Sequence, residues 1–157
     1  MLGLFGELGT VAIGIGTTLP FQYFGNPDFD EEAVLHTFLE ESHDGIYLAP
    51  TRFRPTLGKN TGKECSGFLI RFAADRTGLA PFTEGIKLLL AARQHYPQIF
   101  AKAQISEKAE QMFSKAAGTK ELINAFKKKA TDAYILKVAN KGLSEFKALR
   151  NKYLLYL

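Results

Sequence analysis

The stretch GIYLAPTRFRPTLGKNTGKECSGFLIRF, residues 45–72, predicts two β-strands and the loop that joins them. Each end of the stretch has a run of β-branched, aromatic and aliphatic residues that is as long as a typical strand. Gly, Pro, Asn or Thr residues mark the limits of each run. The predicted strand residues are Ile46, Tyr47 and Leu48 in the first run, and Cys65, Phe68, Leu69, Ile70 and Phe72 in the second.

The predicted loop between these strands is rich in cations, and two prolines restrict its backbone. The cations are Arg52, Arg54, Lys59 and Lys63, and the prolines are Pro50 and Pro55. A loop that holds positive charge at a fixed place suits an anionic or sugar ligand, and it equally suits an ordinary solvated connection.

The residues before this stretch predict short elements and one helix. Two apolar segments, residues 2–5 and 10–15, have the length of short buried strands. Thr17, Thr18 and Pro20 predict a turn into a short helix at residues 21–24. Asp30 is then expected to cap a helix that continues to Glu41, with a core-facing stripe of Val34, Leu35, Phe38 and Leu39.

The residues after the stretch predict mainly helices. A turn at residues 75–78 precedes a helix that begins at residues 81–83 and stops at Pro97. Ser106 caps a helix that ends at Gly118, Thr119 caps the next helix, and a last helical region begins at Thr131. This last region breaks at Gly142 and resumes with a predicted core stripe of Leu143, Phe146, Leu149 and Tyr153.

This order of elements predicts an α+β fold, with a small mixed sheet packed by several helices and a C-terminal part that is mainly helical. The chain has 157 residues, which is the length of one domain, so we expect residues 1–157 to form a single domain. The single cysteine, Cys65, excludes an intramolecular disulfide and is expected to be a small buried hydrophobe.

Several classes of site find no support in the sequence. His36, His43 and His95 do not have a metal-binding spacing, so each is expected to be structural or exposed, and no metal or other cofactor is predicted. Gly14 and Gly16 do not complete a nucleotide-binding motif. Residues 1–20 lack the basic region and the cleavage site of a signal peptide and are interrupted by glycines and an acid, so no membrane segment is predicted.

Positive charge is concentrated in the C-terminal part of the chain. Residues 1–99 carry 8 Lys and Arg against 11 Asp and Glu, whereas residues 100–157 carry 12 against 5. Such a basic part is compatible with nucleic-acid binding. Its lysines are scattered, however, and residues 127–129, the only run, lack interleaved aromatic residues. We therefore expect a solvated helical face and no nucleic-acid partner.

Five segments resemble the C-terminal domain of the exo-β-N-acetylmuramidase family, in the order and spacing of that family. They are GELGT, GIGTTLPFQYFGNP, FRPTLGKNTGKECSGFLIRF, TEGIKLLLAARQHYP and FKALRNKYLLYL, and together they cover nearly the whole chain. Members of the family have a Rossmann-like N-terminal domain before this region. They remove N-acetylmuramic acid from the non-reducing end of peptidoglycan fragments.

The resemblance implies that the chain is the cleft-forming domain of such a glycosidase and that its Rossmann-like N-terminal domain is missing. The main catalytic carboxylate would belong to that missing domain, so the chain alone is expected to be inactive. Glu7 matches the glutamate of the family's EGTN element and is the only acid carried over. Thr17 and Thr18 match its GTT element and would bond sugar hydroxyls. Lys59 matches a lysine that would meet the lactyl carboxylate of muramic acid.

The sequence also departs from the family. The arginine of the family's GRGTT element is Ile15 here, two further arginines are Ala49 and Ala80, and a strand histidine is Arg71. Arg52 and Arg54 are expected to replace part of the lost positive charge. The predicted substrate-binding residues are therefore Glu7, Thr17, Thr18, Arg52, Arg54 and Lys59.

Two functions of different classes stay open on the sequence alone. The first is the glycosidase domain, with the missing domain and a muramic-acid-containing glycan as partners and with the cell envelope as the location that the resemblance implies. The second is a non-catalytic glycan- or protein-binding module that kept the fold and lost the hydrolase site. The first function also predicts an exposed apolar patch for the missing domain, including Leu4, Phe5 and Ile15.

Overall fold

The computed structural model describes residues 2–43, 45–75, 78–101 and 105–155. Within them, strands and helices combine in the predicted α+β fold, which is confirmed. The strands are β1 (Tyr23–Asn26), β2 (Ile46–Phe53) and β3 (Cys65–Phe72). The helices are α1 (Leu2–Gly6), α2 (Glu31–Leu39), α3 (Pro81–His95), α4 (Glu107–Ala117), α5 (Lys120–Lys127), α6 (Asp132–Ala139) and α7 (Leu143–Arg150), with a 3₁₀ helix at Pro97–Phe100 after α3.

The sheet has the order β1-β3-β2, and β3 is antiparallel to both neighbours. The sheet is therefore fully antiparallel, whereas a mixed sheet was predicted. The two strands predicted from the opening stretch are confirmed. β2 is longer than expected, because its ladder with β3 continues until Phe53 pairs with Cys65. Arg52 therefore lies in the strand and not in the loop. Pro50 is compatible with β2 because this strand lies at the edge of the sheet, where a missing N–H donor is tolerated.

Three predictions for the N-terminal region are wrong. Residues 2–5 belong to helix α1, residues 10–15 contribute only an isolated bridge of Ala12 with Gly25, and the helix predicted at residues 21–24 is replaced by a turn at 21–22 and the start of β1. Short apolar runs cannot be assigned to strand or helix by periodicity alone. Here β1 forms because β3 offers it a free edge, whereas residue 10 is fixed by side chains: the amide of Asn26 donates to the carbonyl of Thr10 at 2.6 Å.

The helix caps predicted from the sequence are confirmed. The Asp30 carboxylate accepts from the backbone N–H at position 33 at 3.0 Å, and Ser106 and Thr119 cap α4 and α5 in the same way. Thr131, the predicted start of the last helical region, also caps α6 with its side chain. Helix α2 ends at Leu39, two residues before the predicted end, and Leu39 is exposed instead of buried. The turn predicted at residues 75–78 falls partly outside the described residues, since 76 and 77 are not among them.

Helix α7 is the clearest departure from the predicted core. The expected helix is present after Gly142, but none of its residues is buried. The predicted core stripe is exposed throughout: Leu143, Phe146, Leu149 and Tyr153. Helical spacing indicates that one side of a helix is apolar, but it does not indicate which surface covers that side.

The main core lies between one face of the sheet and the helices. Phe24, Phe68 and Ile70 of the sheet share one buried cluster with Leu88 and Leu89 of α3. A second, smaller cluster contains Ala12, Phe53 and Cys65. Cys65 is 0% exposed, which confirms it as a small buried hydrophobe, and this burial raises the pKa of its thiol.

The three histidines have structural or exposed positions, as predicted. The side chain of His36 is 82% exposed, and Nε2 of His95 lies 2.8 Å from the hydroxyl of Thr37. His43 is buried: its Nδ1 lies 2.5 Å from a carboxylate oxygen of Glu84, and its Nε2 contacts the carbonyl of Phe38. This contact ties the end of α2 to α3.

Replacing His43 with Ala is expected to destabilise the chain. It would leave the buried carbonyl of Phe38 and one carboxylate oxygen of Glu84 without their partner, which costs about 1–3 kcal/mol of unfolding free energy. His36→Ala is the matched control and should change the stability by less than about 0.5 kcal/mol, since that side chain is exposed. Urea unfolding followed by circular dichroism measures both. Equal stability of the two variants would contradict a structural role for the His43 contact.

Candidate functional site

A pocket of 240 Å³ lies between helix α1, the loop of residues 14–21 and the loop that joins β2 to β3. Most of its lining is apolar or glycine, and one acidic and one basic side chain complete it. The lining residues are Gly3, Gly6, Glu7, Val11, Ala12, Ile13, Ile15, Phe21, Leu57 and Lys59. Two of the six predicted site residues, Glu7 and Lys59, are therefore brought together although they are far apart in the sequence.

A close backbone contact at Gly16 holds the two loops of this pocket together. The carbonyl of Gly16 accepts two hydrogen bonds from Thr56, one from the backbone N–H at 3.0 Å and one from the hydroxyl at 2.8 Å. Gly16 has a φ of 79°, and a Cβ at this position would lie 2.2 Å from the backbone nitrogen of Leu57. Only glycine fits here, because any side chain would separate the loops.

Glu7 and Lys59 are without partners among the described residues, since neither side chain has a hydrogen bond or an ion pair there. Glu7 is half-buried and Lys59 is exposed. Among the described residues, Glu7 is also the only one that brings a carboxylate into the lining of the pocket. The pocket therefore offers one free acceptor and one free cation to a ligand.

The two threonines of the predicted site stand outside the pocket lining and differ from each other. The hydroxyl of Thr17 donates to the carbonyl of Gly14 at 2.7 Å and accepts from the N–H of Leu19 at 3.2 Å. These two hydrogen bonds fix the loop and use most of the hydrogen-bonding capacity of the Thr17 hydroxyl. Thr18 is exposed and makes no side-chain hydrogen bond within the described part of the chain.

Arg52 and Arg54 flank Glu64 and do not reach the pocket. The guanidinium of Arg52 lies 3.5 Å from one carboxylate oxygen of Glu64, and that of Arg54 lies 3.9 Å from the other. Both pairs are exposed, so each contributes about 0–1 kcal/mol to stability and exchanges readily with solvent or a ligand.

Three of the four positions that depart from the family pattern lie on two surfaces, and the fourth, Ala80, directly precedes α3. Ile15 lines the pocket. Ala49 and Arg71 share the sheet face opposite the main core, because Ala49 pairs with Leu69, two positions from Arg71 on β3. Arg71 is therefore a diagonal cross-strand neighbour of Ala49 on that face, whereas Arg52 pairs with Ser66 further along the ladder.

The apolar surface around the pocket differs from the expected patch. Leu4 and Phe5 are buried, so that part of the prediction is wrong, whereas Ile15 is 40% exposed. Its apolar neighbours in the pocket are Leu57 and Phe21, which sequence reasoning did not assign to the site. Phe21 was missed because its position depends on a positive φ of 61°, which no sequence pattern predicts for an aromatic residue.

A larger depression of 730 Å³ is a weaker candidate. Its lining includes Arg93 and Lys127, but Asp132 and Glu110 already neutralise these cations, at 2.5 Å and 2.6 Å. The described residues contain no group of three His, Cys, Asp or Glu side chains that could hold a metal ion. No helix in the described part of the chain is long and apolar enough to cross a membrane.

By its fold and site, the chain is an α+β domain with a small surface pocket that presents one carboxylate and one ammonium group beside apolar side chains. Residues 1–156 match the sequence model of a family described as "Exo-beta-N-acetylmuramidase NamZ, C-terminal", and the chain belongs to this family.

A curated relative is the peptidoglycan β-N-acetylmuramidase NamZ of Bacillus subtilis (strain 168). It is 26% identical over 147 residues, which are 93% of this chain and 34% of the relative. The chain thus spans about a third of that protein's length.

Two solved structures of DUF1343 family proteins from Bacteroides fragilis NCTC 9343 share the fold. The first has a TM-score of 0.86 and 22% identity, and the match covers 99% of this chain and 40% of the other. The second has a TM-score of 0.57 and 20% identity, with coverage of 99% and 38%. Both matches include nearly all of this chain and less than half of the solved chain.

Replacing Gly16 with Ala is expected to open the pocket. Gly62→Ala is the matched control, since Gly62 lies in the same pair of loops with a φ of 74°, and a Cβ added there would meet nothing within 4 Å. The left-handed backbone alone should cost the control about 1–2 kcal/mol. Gly16→Ala should cost more, because it adds the clash with Leu57. Urea unfolding and amide NMR spectra of residues 14–21 and 56–59 measure the difference, and equal losses with unchanged pocket amides would contradict the role of the contact.

Proposed function

We propose that this chain is the cleft-forming C-terminal domain of a peptidoglycan exo-β-N-acetylmuramidase and that its pocket binds the muramic acid of a glycan. The single observation that carries the site is the convergence of Glu7 and Lys59 on one pocket without partners among the described residues. Family membership supports the choice of ligand.

The chemistry of muramic acid matches these groups. Its lactyl substituent carries a carboxylate, which an unpaired lysine ammonium can bind as a point charge. The carboxylate of Glu7 can accept hydrogen bonds from sugar hydroxyls. Apolar side chains that surround a few polar groups are also the usual composition of a small-ligand pocket.

We propose that the remaining predicted binding residues, which lie outside the pocket, also serve glycan binding. Thr18 has a free, exposed hydroxyl, and Arg52 and Arg54 have weak, exposed contacts with Glu64. These groups can contact the parts of a longer glycan that extend beyond the pocket. Thr17 contributes by fixing its loop, since its hydroxyl is bonded within that loop.

Hydrolysis requires a second domain in this proposal. Glycosidases ordinarily use two carboxyl groups about 5–9.5 Å apart, and within the described part of the chain Glu7 alone brings a carboxylate to the pocket. The curated relative is about three times as long as the matched region, so its remaining part can supply the second group. We propose that this part is a Rossmann-like N-terminal domain that closes the other side of the cleft.

Helix α7 offers a surface on which that domain can dock. Helices shorter than about 12 residues are marginal on their own in water, and α7 has eight residues, none of them buried. Its exposed apolar side includes Phe146 and Leu149. The solved chain with the higher TM-score matches 99% of this chain and is more than twice as long, so related proteins have further chain available to cover this side.

The isolated 157 residues are expected to release no N-acetylmuramic acid from peptidoglycan fragments, because the second carboxyl group is not in the pocket. Release by the isolated chain, measured by mass spectrometry, would contradict the two-domain proposal. A fusion of the N-terminal two-thirds of the Bacillus subtilis relative to this chain should restore release. It should also slow hydrogen exchange in α7, and Phe146→Glu should reverse that slowing while Lys147→Glu should not.

Lys59→Ala is expected to weaken binding of N-acetylmuramic acid by about tenfold or more, because it removes a charge-assisted bond of about 1.5–3 kcal/mol. Lys63→Ala is the matched control in the same loop, outside the pocket, and should bind as the parent does. N-acetylglucosamine, which lacks the lactyl carboxylate, should bind the parent and Lys59→Ala equally. NMR titration measures these affinities, and equal loss in both lysine variants would point to general charge attraction instead of a site.

A non-catalytic glycan-binding module is the second candidate, and Ile15 favours it. An apolar residue lines the pocket where the family pattern has an arginine, so the pocket has one cation fewer for a reacting sugar. A fusion protein that binds N-acetylmuramic acid through Lys59 but releases none would favour this candidate.

A further inference from the structure

Phe21 occupies a conformation that is unfavourable for its residue type in two ways. Its φ is 61°, in the left-handed region where a bulky side chain is strained. Its side chain is also 55% exposed, so the ring gains only part of the stabilisation that burial gives. The strain at Phe21 is therefore not offset by full burial of its ring in the core.

The backbone on both sides of Phe21 imposes this conformation. The N–H of Phe21 donates to the carbonyl of Ile13 at 2.8 Å, and the next N–H, of Gln22, donates to the carbonyl of Leu19 at 3.2 Å. Tyr23 then enters the sheet opposite Leu69. Closing the loop in this way places the ring of Phe21 in the lining of the pocket.

The surroundings of the ring indicate what it can bind. Ile15 and Leu57 line the same pocket and are 40% and 65% exposed. Together with Phe21, they give the pocket three apolar side chains that are open to solvent. The free cation of Lys59 and the free carboxylate of Glu7 lie in the same lining. A ligand that fits this set has an apolar face, a negative charge and hydroxyl groups.

We infer that Phe21 is the platform on which the pyranose ring of an acidic N-acetylated amino sugar stacks, while Lys59 binds its carboxylate. A pyranose presents axial C–H groups on its faces, and these pack against an aromatic ring while the equatorial hydroxyls remain free for polar partners. Ile15 and Leu57 cover the methyl group of the acyl or lactyl substituent. This inference rests on the proposed function and adds the residue that recognises the sugar ring itself.

The ring has a different role from the neighbouring aromatic residues. Phe24 and Phe29 are buried and contact each other, with ring centroids 5.3 Å apart. Phe21 is absent from the ring contacts of the described residues. A residue that only closes the loop does not need an aromatic ring here, and glycine would adopt this φ without strain.

Phe21→Gly separates the two roles. If Phe21 acts as a platform, the variant should melt at the same temperature as the parent or higher, because the strain is removed, and it should bind N-acetylmuramic acid at least about tenfold more weakly. Phe21→Tyr keeps the aromatic face and should bind within about twofold of the parent. Thermal unfolding and NMR titration with N-acetylmuramic acid measure both properties.

The outcomes distinguish this inference from the proposed function. Binding that depends on Lys59 but is the same in Phe21→Gly and the parent would overturn the platform and leave the proposed function intact. A Phe21→Gly chain that melts well below the parent would also overturn it, since the ring would then be structural. A parent chain that binds no N-acetylmuramic acid in the pocket would overturn both.

Discussion

The pocket depends on one close contact, in which the backbone of Gly16 lies directly against residues 56 and 57. Two hydrogen bonds from Thr56 to one carbonyl join a loop near the N-terminus to the loop between β2 and β3. These loops carry Ile15 and Phe21 on one side and Leu57 and Lys59 on the other. Without the contact, the pocket-lining residues would be on separate loops, and any ligand that bound between them would have to overcome the entropy of ordering these loops.

The charges of the chain divide into those that stabilise the fold and those that remain free. Arg93, Lys127 and Lys141 each lie within 2.9 Å of a carboxylate. These pairs join neighbouring helical segments, and those of Lys127 and Lys141 neutralise part of the positive charge of residues 100–157. Lys59 differs from them because its ammonium has no partner among the described residues. Its charge therefore forms no ion pair with the described part of the fold and is available to a ligand of the pocket.

The sequence predicted the elements with strong local signals. Caps such as Asp30 and Ser106 were found because a side-chain acceptor at a helix start has a local pattern. The strand β1 was missed because its formation depends on the edge of β3, which is distant in the sequence. Long helical stripes were found, but the exposure of Phe146 could not be predicted, since it depends on what packs against α7.

Sequence reasoning named some of the residues that line the candidate pocket and missed others, whose positions depend on the folded backbone. Glu7 and Lys59 came from the family resemblance, and the fold places both in one pocket. Phe21 lies in one of the segments that carry the resemblance, but its place in the pocket lining was not found because it depends on a backbone conformation that the sequence does not predict. Arg52 and Arg54 were expected to compensate for lost arginines, but both lie beside Glu64, and only the register of the sheet reveals that Arg71 lies on the same sheet face as Ala49.

A crystal structure of this chain with N-acetylmuramic acid would show whether the pocket binds the sugar. We expect a sugar in the pocket, with its carboxylate within about 4 Å of the Lys59 ammonium, the distance of a salt bridge, and its ring packed on Phe21. A sugar bound only at Arg52 and Arg54, or on the sheet face around Arg71, would contradict it. In that case the convergence of Glu7 and Lys59 would have no role in recognising the glycan.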